Sequence, residues 1–351
     1  MLFTILIGCS TMKSFSPDNV ISNVLAADNE VTYYGEMELS FQLKEETETF
    51  EAKEWRQNNK SRVEMVAEEE QIIALSDGES ITVYNEEENS AIQLNSKELQ
   101  NLHMNPKEQL EFLLDEIRDT HELEKVGNEK ILNRDTFHLI AKKKDGEKTL
   151  YGDQELWIDT ENWVVLKAIM KTSAFEMKMK YTAIDFNPKL DETTFVLDLP
   201  EDVEIEQLDD GELLEDEITL NDIETKLGKD VLYVPENREY EINAITYIDI
   251  DSDYKNVDID YKRDGLAFAT LSIVDTNEES SLEEQLVMFG DDAEEVTVRN
   301  QQGIFIDVGQ LRALSWEEGN YSYSIDITNS NVTLDDILSF AENMEELKKG
   351  E

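Results

Sequence analysis

The sequence predicts a mainly β, α+β chain in two parts: an antiparallel sheet with a helical lid, then a second, smaller antiparallel α+β unit. Three observations carry this. The stretch Phe50–Asn85, FEAKEWRQNNKSRVEMVAEEEQIIALSDGESITVYN, holds four short runs of β-type residues, around Trp55, Val63–Val66, Ile72–Leu75 and Ile81–Tyr84. Polar, turn-like breaks separate them, and Asp77-Gly78 is a tight-hairpin signal because Gly accepts positive φ without a Cβ clash. The simplest pairing is a meander, each strand beside the next. A single amphipathic helix among these strands must bury its apolar stripe on the sheet. The acidic stretch Gln207–Glu217, QLDDGELLEDE, has no strand pattern and reads as a linker between the parts.

A length of 351 residues predicts two domains, each able to bury its own core without staples. Hydrophobic residues make up 40%, enough for a core, while 81 acidic against 31 basic residues leave a net charge of −50. A surface so negative repels nucleic acid and anionic headgroups, so no nucleic-acid partner is expected. Solubility in a saline or alkaline exterior explains the charge, and cation binding is the alternative. Cys9 is the only cysteine, which excludes an intrachain disulfide and a cysteine cluster for zinc.

Taken in order, LFTILIGC at Leu2–Cys9 is shorter than the ~20 apolar residues that span a bilayer and looks like the end of a secretory signal. Leu6-Ile7-Gly8-Cys9 resembles a bacterial lipobox, which implies a diacylated Cys9, a lipid anchor and an extracytoplasmic location at the cell membrane. No Lys or Arg precedes Leu2, so either the start is mis-assigned or the sequence is trimmed. The alternative is an ordinary apolar tail with a stray thiol. Ser16-Pro17-Asp18 opens a short helix to Ala27, with Ser as N-cap and Pro at the first helical position. YYGEMELSFQL then alternates strictly, with Met37, Leu39, Phe41 and Leu43 on one face.

After Ala91–Leu94, a short strand, Asn105-Pro106-Lys107-Glu108 starts a helix running to Thr120, with Leu110, Leu113, Leu114 and Ile117 at helical spacing. It is either a lid over a cavity or a plain packing helix. Strands resume at Leu123–Val126 and Thr136–Ala141. The basic run Lys142-Lys143-Lys144 before Asp145-Gly146 reads as the solvated tip of a second hairpin. Val164, Leu166, Ala168 and Met170 share one face, and Phe175, Met177 and Met179 alternate likewise; such methionines are core, or the flexible wall of an apolar pocket. Past the linker, Thr219-Leu220-Asn221-Asp222 caps a short helix ended by Gly228. Strands are predicted at Ile242–Ile250, Val257–Tyr261, Leu266–Val274, Glu295–Arg299, Gly303–Val308, Arg312–Trp316 and Tyr321–Ile327. Thr333-Leu334-Asp335-Asp336 caps a final helix, so the second unit is a sheet with a helix at each end.

Several of these pieces, in order, resemble the lipoprotein-carrier superfamily, LolA/LolB-like: Trp55, Arg62-Val63-Glu64, IIALSDG at Ile72–Gly78, Val83-Tyr84-Asn85, Leu156-Trp157-Ile158-Asp159 and the closing Thr194–Pro200. The resemblance covers residues 15–206 and implies an incomplete antiparallel β-barrel whose concave side, closed by helices, holds acyl chains. Residues 219–346 resemble the uncharacterised domain that often follows this fold, with TYIDI, Leu314-Ser315-Trp316 and the terminal capped helix. The division expected is therefore a signal and lipobox at 1–9, the half-barrel at 15–206, an acidic linker at 207–218 and an α+β domain at 219–346. In the carriers an Arg-Pro pair after the Trp helps hold the lid shut; Asn58 and Asn59 stand there, so that latch is expected to be absent. With its own lipobox the chain looks most like the LolA-like lipoproteins of Gram-positive bacteria, some linked to sporulation or envelope sensing. The candidate pocket is Leu39, Phe41, Trp55, Met65, Leu110, Leu113, Leu114, Ile117, Leu166 and Met177.

Chemistry is not signalled. There is no HExxH, GxSxG, P-loop or GxGxxG in context, and His103, His121 and His138 are scattered. Asp249-Ile250-Asp251-Ser252-Asp253 lacks the Gly an EF-type calcium loop needs at its sixth position, where Tyr254 stands. No enzyme activity, cofactor or metal is expected. The leading expectation is a membrane-anchored protein that binds a hydrophobic ligand; the alternative is an RseB-like envelope sensor that binds another envelope protein without lipid cargo.

Overall fold

The computed structural model describes residues 31–44, 46–67, 70–94, 104–200, 203, 205–208, 216–228, 230–250, 254–275, 281–309 and 311–347. Cys9 with its lipobox, the helix at Ser16–Ala27, most of the acidic linker and Asp251–Asp253 lie outside them.

The first sheet has twelve strands: β1 Tyr33–Leu43, β2 Glu46–Gln57, β3 Lys60–Ala67, β4 Glu70–Ser76, β5 Ile81–Asn85, β6 Ser90–Leu94, β7 His121–Ile131, β8 Arg134–Lys143, β9 Asp153–Asp159, β10 Val165–Lys171, β11 Phe175–Asp185 and β12 Ile205–Leu208. Their order is β12-β6-β5-β4-β3-β2-β1-β11-β10-β9-β8-β7. Each strand is antiparallel to its neighbours except β12, which runs parallel to β6. Two meanders, β1–β6 and β7–β11, are joined by pairing of β1 with β11, from Tyr34↔Asp185 to Leu43↔Phe175. The sheet is open, with β12 and β7 at its edges.

β6 and β7 stand near opposite edges of the sheet, and the helix Pro106–Arg118, which lies between them in sequence, packs on one face. Asn105 caps it: its side chain accepts from the backbone N–H groups of Lys107 and Glu108, and Glu108 returns the bond to the Asn105 N–H. Leu110, Leu114 and Ile117 pack against Leu139, Ala141, Leu156 and Ile158.

Two turns differ from expectation. Asp77-Gly78 is not a two-residue connection: residues 77–80 form the loop, and Asp77 Oδ1 accepts from the N–H groups of Glu79 and Ser80, each at 2.8 Å. Gly78 still takes positive φ, +94°. Asp145-Gly146 lies in a longer connection, residues 144–152. Its basic run is no solvated tip. Lys143 Nζ stands 3.3 Å from Asp292, Lys148 Nζ pairs with Asp307 at 2.5 Å, and Lys144 Nζ donates to the Asp119 carbonyl at 2.6 Å. Lys148 thus ties the loop to the second sheet, Lys143 reaches the turn before that sheet's Ala293–Val298 strand, and Lys144 holds the loop to the end of the helix Pro106–Arg118.

That sheet has eight strands, β13 Asp216–Glu217, β15 Tyr240–Ile250, β16 Tyr254–Arg263, β17 Leu266–Asp275, β18 Ala293–Val298, β19 Gln301–Val308, β20 Leu311–Glu318 and β21 Tyr321–Asp326, ordered β13-β15-β16-β17-β21-β20-β19-β18. A two-stranded pair, β14 Leu232–Tyr233 with β22 Glu345–Glu346, lies beside it in sequence at either end. The helix Leu334–Glu342 places Phe340 against Tyr240, Tyr261 and Phe268, with ring centroids 4.9–5.3 Å apart. One helix was not foreseen, Ser281–Phe289. It covers the other face: Leu282, Leu286 and Phe289 pack on Ile304, Ile306 and Val308. β19 is buried on both faces, and its unbroken run Ile304-Phe305-Ile306, lacking polar alternation, was the signal of a layer on each side.

Candidate functional site

A cavity of about 380 Å³ lies between the helix Pro106–Arg118 and the sheet face formed by β1, β2 and β9–β11. Its apolar wall comprises Leu110 and Leu113 of the helix with Leu156, Val164, Val165, Ala168, Met170, Met177 and Met179. Cross-strand register builds this wall. Ala168 pairs with Met179 and Met170 with Met177, so their side chains stand on one face in two rows.

Three of the candidate residues, Leu110, Leu113 and Met177, line the cavity. Leu39 and Phe41 share its face by pairing with Met179 and Met177, but they lie outside its lining, farther along β1 than Tyr33. Met65, opposite Ala52 and Ile72, is farther out on that face. Trp55 is on the wrong side: Glu54 and Arg56 occupy the cavity face, so alternation turns Trp55 to the opposite one, where its ring lies 5.1 Å from Tyr34. Leu114, Ile117 and Leu166 are filled core, not pocket. The first two are sealed against Leu139, Ala141 and Ile158, and Leu166 packs among Tyr33, Val164 and Tyr181.

The sequence reading missed the polar corner of the cavity. Tyr33, Glu54 and Tyr181 are on its wall, each at most 5% exposed. Both tyrosine hydroxyls donate to Glu54 Oε2, at 2.8 Å and 2.5 Å, and Arg56 Nε donates to Glu54 Oε1 at 2.5 Å. Burial, reinforced by neighbouring Glu54, pushes both phenols well above their ordinary value, so they remain neutral donors. Period two gives the signal that could have found this corner, because Ala52, Glu54 and Arg56 share a face and two charges there need partners.

Arg56 also corrects the expected absence of a latch. Its Nη1 donates to the Met104 carbonyl at 2.8 Å, immediately before the N-cap of the helix. The tie to the lid comes from the residue next to Trp55, not from positions 58 and 59. Asn59 instead lies over Gly78, where an added Cβ would meet its Nδ2 at 2.0 Å.

A second cavity, about 580 Å³, lies between the 144–152 loop, the β10–β11 turn and the helix Ser281–Phe289; Leu150 and Met288 are exposed on it. His138 Nε2 is hydrogen-bonded to Glu155 Oε1 at 2.7 Å, its Nδ1 lies 3.2 Å from Glu129 without a hydrogen bond, and its ring stacks on Trp157. Among the described residues no group of three His, Cys, Asp or Glu side chains is arranged to hold a metal, and no helix is long and apolar enough to cross a membrane.

No family model and no curated protein matches this chain. Similar solved structures include the MucA/MucB complex of Pseudomonas aeruginosa, with TM-score 0.41 and 11% identity over 94% of this chain and 98% of that one. An uncharacterised conserved protein of Thermus thermophilus gives TM-score 0.37 and 11% identity over 55% and 99%. A LolA superfamily protein of Nitrosomonas europaea gives 0.26 and 13% over 50% and 97%. Likenesses this distant carry nothing about what this chain binds.

Proposed function

We propose that this chain is a non-enzymatic, LolA/LolB-like lipoprotein that holds a hydrophobic ligand, a lipid or acyl chain, between its first sheet and the helix Pro106–Arg118. In this reading it is anchored through Cys9 at the extracytoplasmic face of a Gram-positive cell membrane and serves envelope or sporulation processes. The observation that supports it is the cavity itself, walled by leucine, valine and three methionines rather than filled by them. Burying each CH₂ of a chain there contributes about 0.8 kcal/mol, and flexible thioethers adapt to its shape. Native mass spectrometry of the protein purified from its own cell tests this: co-purifying lipid is expected, and an empty protein that also binds no uncharged apolar fluorescent dye overturns it. For the anchor, Cys9→Ser produced in the protein's own cell should be released to the medium; equal membrane retention of variant and parent refutes it. One observation favours the alternative, a protein-interaction module: the larger cavity exposes Leu150 and Met288, apolar groups suited to a protein partner.

A further inference from the structure

We infer that the cavity takes a single-chain amphiphile whose polar end is an uncharged hydrogen-bond donor, read by Tyr33, Tyr181 and Glu54. This rests on the ligand-binding reading above and specifies its ligand class. The size is that of one small ligand, since pockets for such molecules run from about 300 to 1,000 Å³ and this one is near the lower end.

The hydrogen-bond valences decide which head fits. A phenol has one O–H to give; those of Tyr33 and Tyr181 both reach Glu54 Oε2, and the two phenolic oxygens lie 3.4 Å from each other, so neither has a second proton for the cavity. Arg56 is committed to Glu54 Oε1 and to the Met104 carbonyl, and it is not on the cavity wall. What the corner presents to the cavity is therefore lone pairs: two phenolic oxygens and a carboxylate. A head group that donates, such as a hydroxyl or an amide N–H, completes them.

Charge acts in the same direction. Glu54 is the one charged side chain on the wall, and no lysine, arginine or histidine lines it among the described residues. Tyr151, Gln109 and Gln154 on the wall can donate as well as accept, but none is positive. A carboxylate or phosphate head would lose its water there without a counter-charge, beside Glu54 and within a chain of net charge −50. A free fatty-acid anion is thus the wrong ligand although its tail fits.

The test uses the full chain carrying Cys9→Ser, stripped of lipid, with an apolar fluorescent dye displaced in turn by dodecan-1-ol, dodecanamide, 1-methoxydodecane and dodecanoate at pH 8. The alcohol and amide present hydroxyl and N–H donors respectively, the ether accepts only, and the last is an anion. The alcohol, the amide or both should displace the dye at about fivefold lower concentration than the ether, the ratio expected for one added hydrogen bond, with dodecanoate weakest. Tyr181→Phe keeps the ring but removes a phenolic oxygen, and should bring the donor-to-ether ratio below about twofold. Equal displacement by alcohol, amide and ether in the unmodified cavity, or tighter binding of dodecanoate, overturns this inference while leaving the ligand-binding reading standing. Failure of all four to displace a bound dye, or of the dye to bind, removes both.

Discussion

Adjacent leucines of one helix should respond oppositely to truncation. Leu114 is 1% exposed within the cluster of Leu139, Ala141, Leu156 and Ile158, whereas Leu113 is half-buried and stands on the cavity wall. Leu→Ala deletes three carbons, roughly 2.4 kcal/mol of transfer free energy at about 0.8 kcal/mol each. In a packed core the void adds to this, for a total of about 3–5 kcal/mol. At Leu113 the deletion enlarges a space that already exists, and part of the side chain was never removed from water, so about 1 kcal/mol is expected. For a unit of this size, 1 kcal/mol shifts Tm by roughly 2–4 °C. Leu114→Ala should therefore lower the first melting transition by roughly 10 °C, and Leu113→Ala by roughly 3 °C. The order reverses in binding, where Leu113→Ala should weaken an uncharged apolar fluorescent probe several-fold and Leu114→Ala should leave its affinity near that of the parent below its melting range. Scanning calorimetry and probe titration on both variants decide it. Equal losses of stability, or an unchanged probe affinity in Leu113→Ala, would refute the distinction between wall and core.

Arg56→Met should cost about 3–5 kcal/mol, because it leaves Glu54 buried without its cation, and the double variant with Glu54→Gln should recover much of that; a double variant no more stable than the single one, by denaturant titration, counts against the pair. Gly78→Val should destabilise by more than about 1 kcal/mol, through its φ of +94° and the contact with Asn59, and an unchanged Tm would show that the loop rearranges freely. Asp336 carries a pH effect. The Thr333 hydroxyl first, then the Thr333 N–H and Arg263, lower its carboxyl from 3.8 to about 2. A carboxyl depressed in the folded state stabilises above its unfolded value and loses that contribution as protons bind. Stability should therefore fall between about pH 4 and pH 2, and Asp336→Asn should flatten that limb in melts recorded across it. Identical acid limbs would exclude Asp336 as their source.

Strand periodicity, one capped amphipathic helix and turn residues were legible in this sequence because each is set by neighbours in the chain. Met37–Leu43 alternates apolar and polar residues without a break, and Asn105 with Glu108 announces the helix within a single turn. Periodicity also gave the face of each residue, and Glu54 and Arg56 on the cavity side could have been read from it. What alternation cannot supply is the partner across the sheet. The pairing of β1 with β11 brings Tyr33 and Glu54 to Tyr181, a separation of 127 residues between the last two, and no local pattern encodes it. The stripe Leu110, Leu113, Leu114, Ile117 is uniform in sequence, yet the sheet fills the space opposite Leu114 and Ile117 and leaves it open at Leu113. Whether a buried apolar side chain meets core or cavity depends on the volume of what faces it, and that is decided only when the two meanders close on one another.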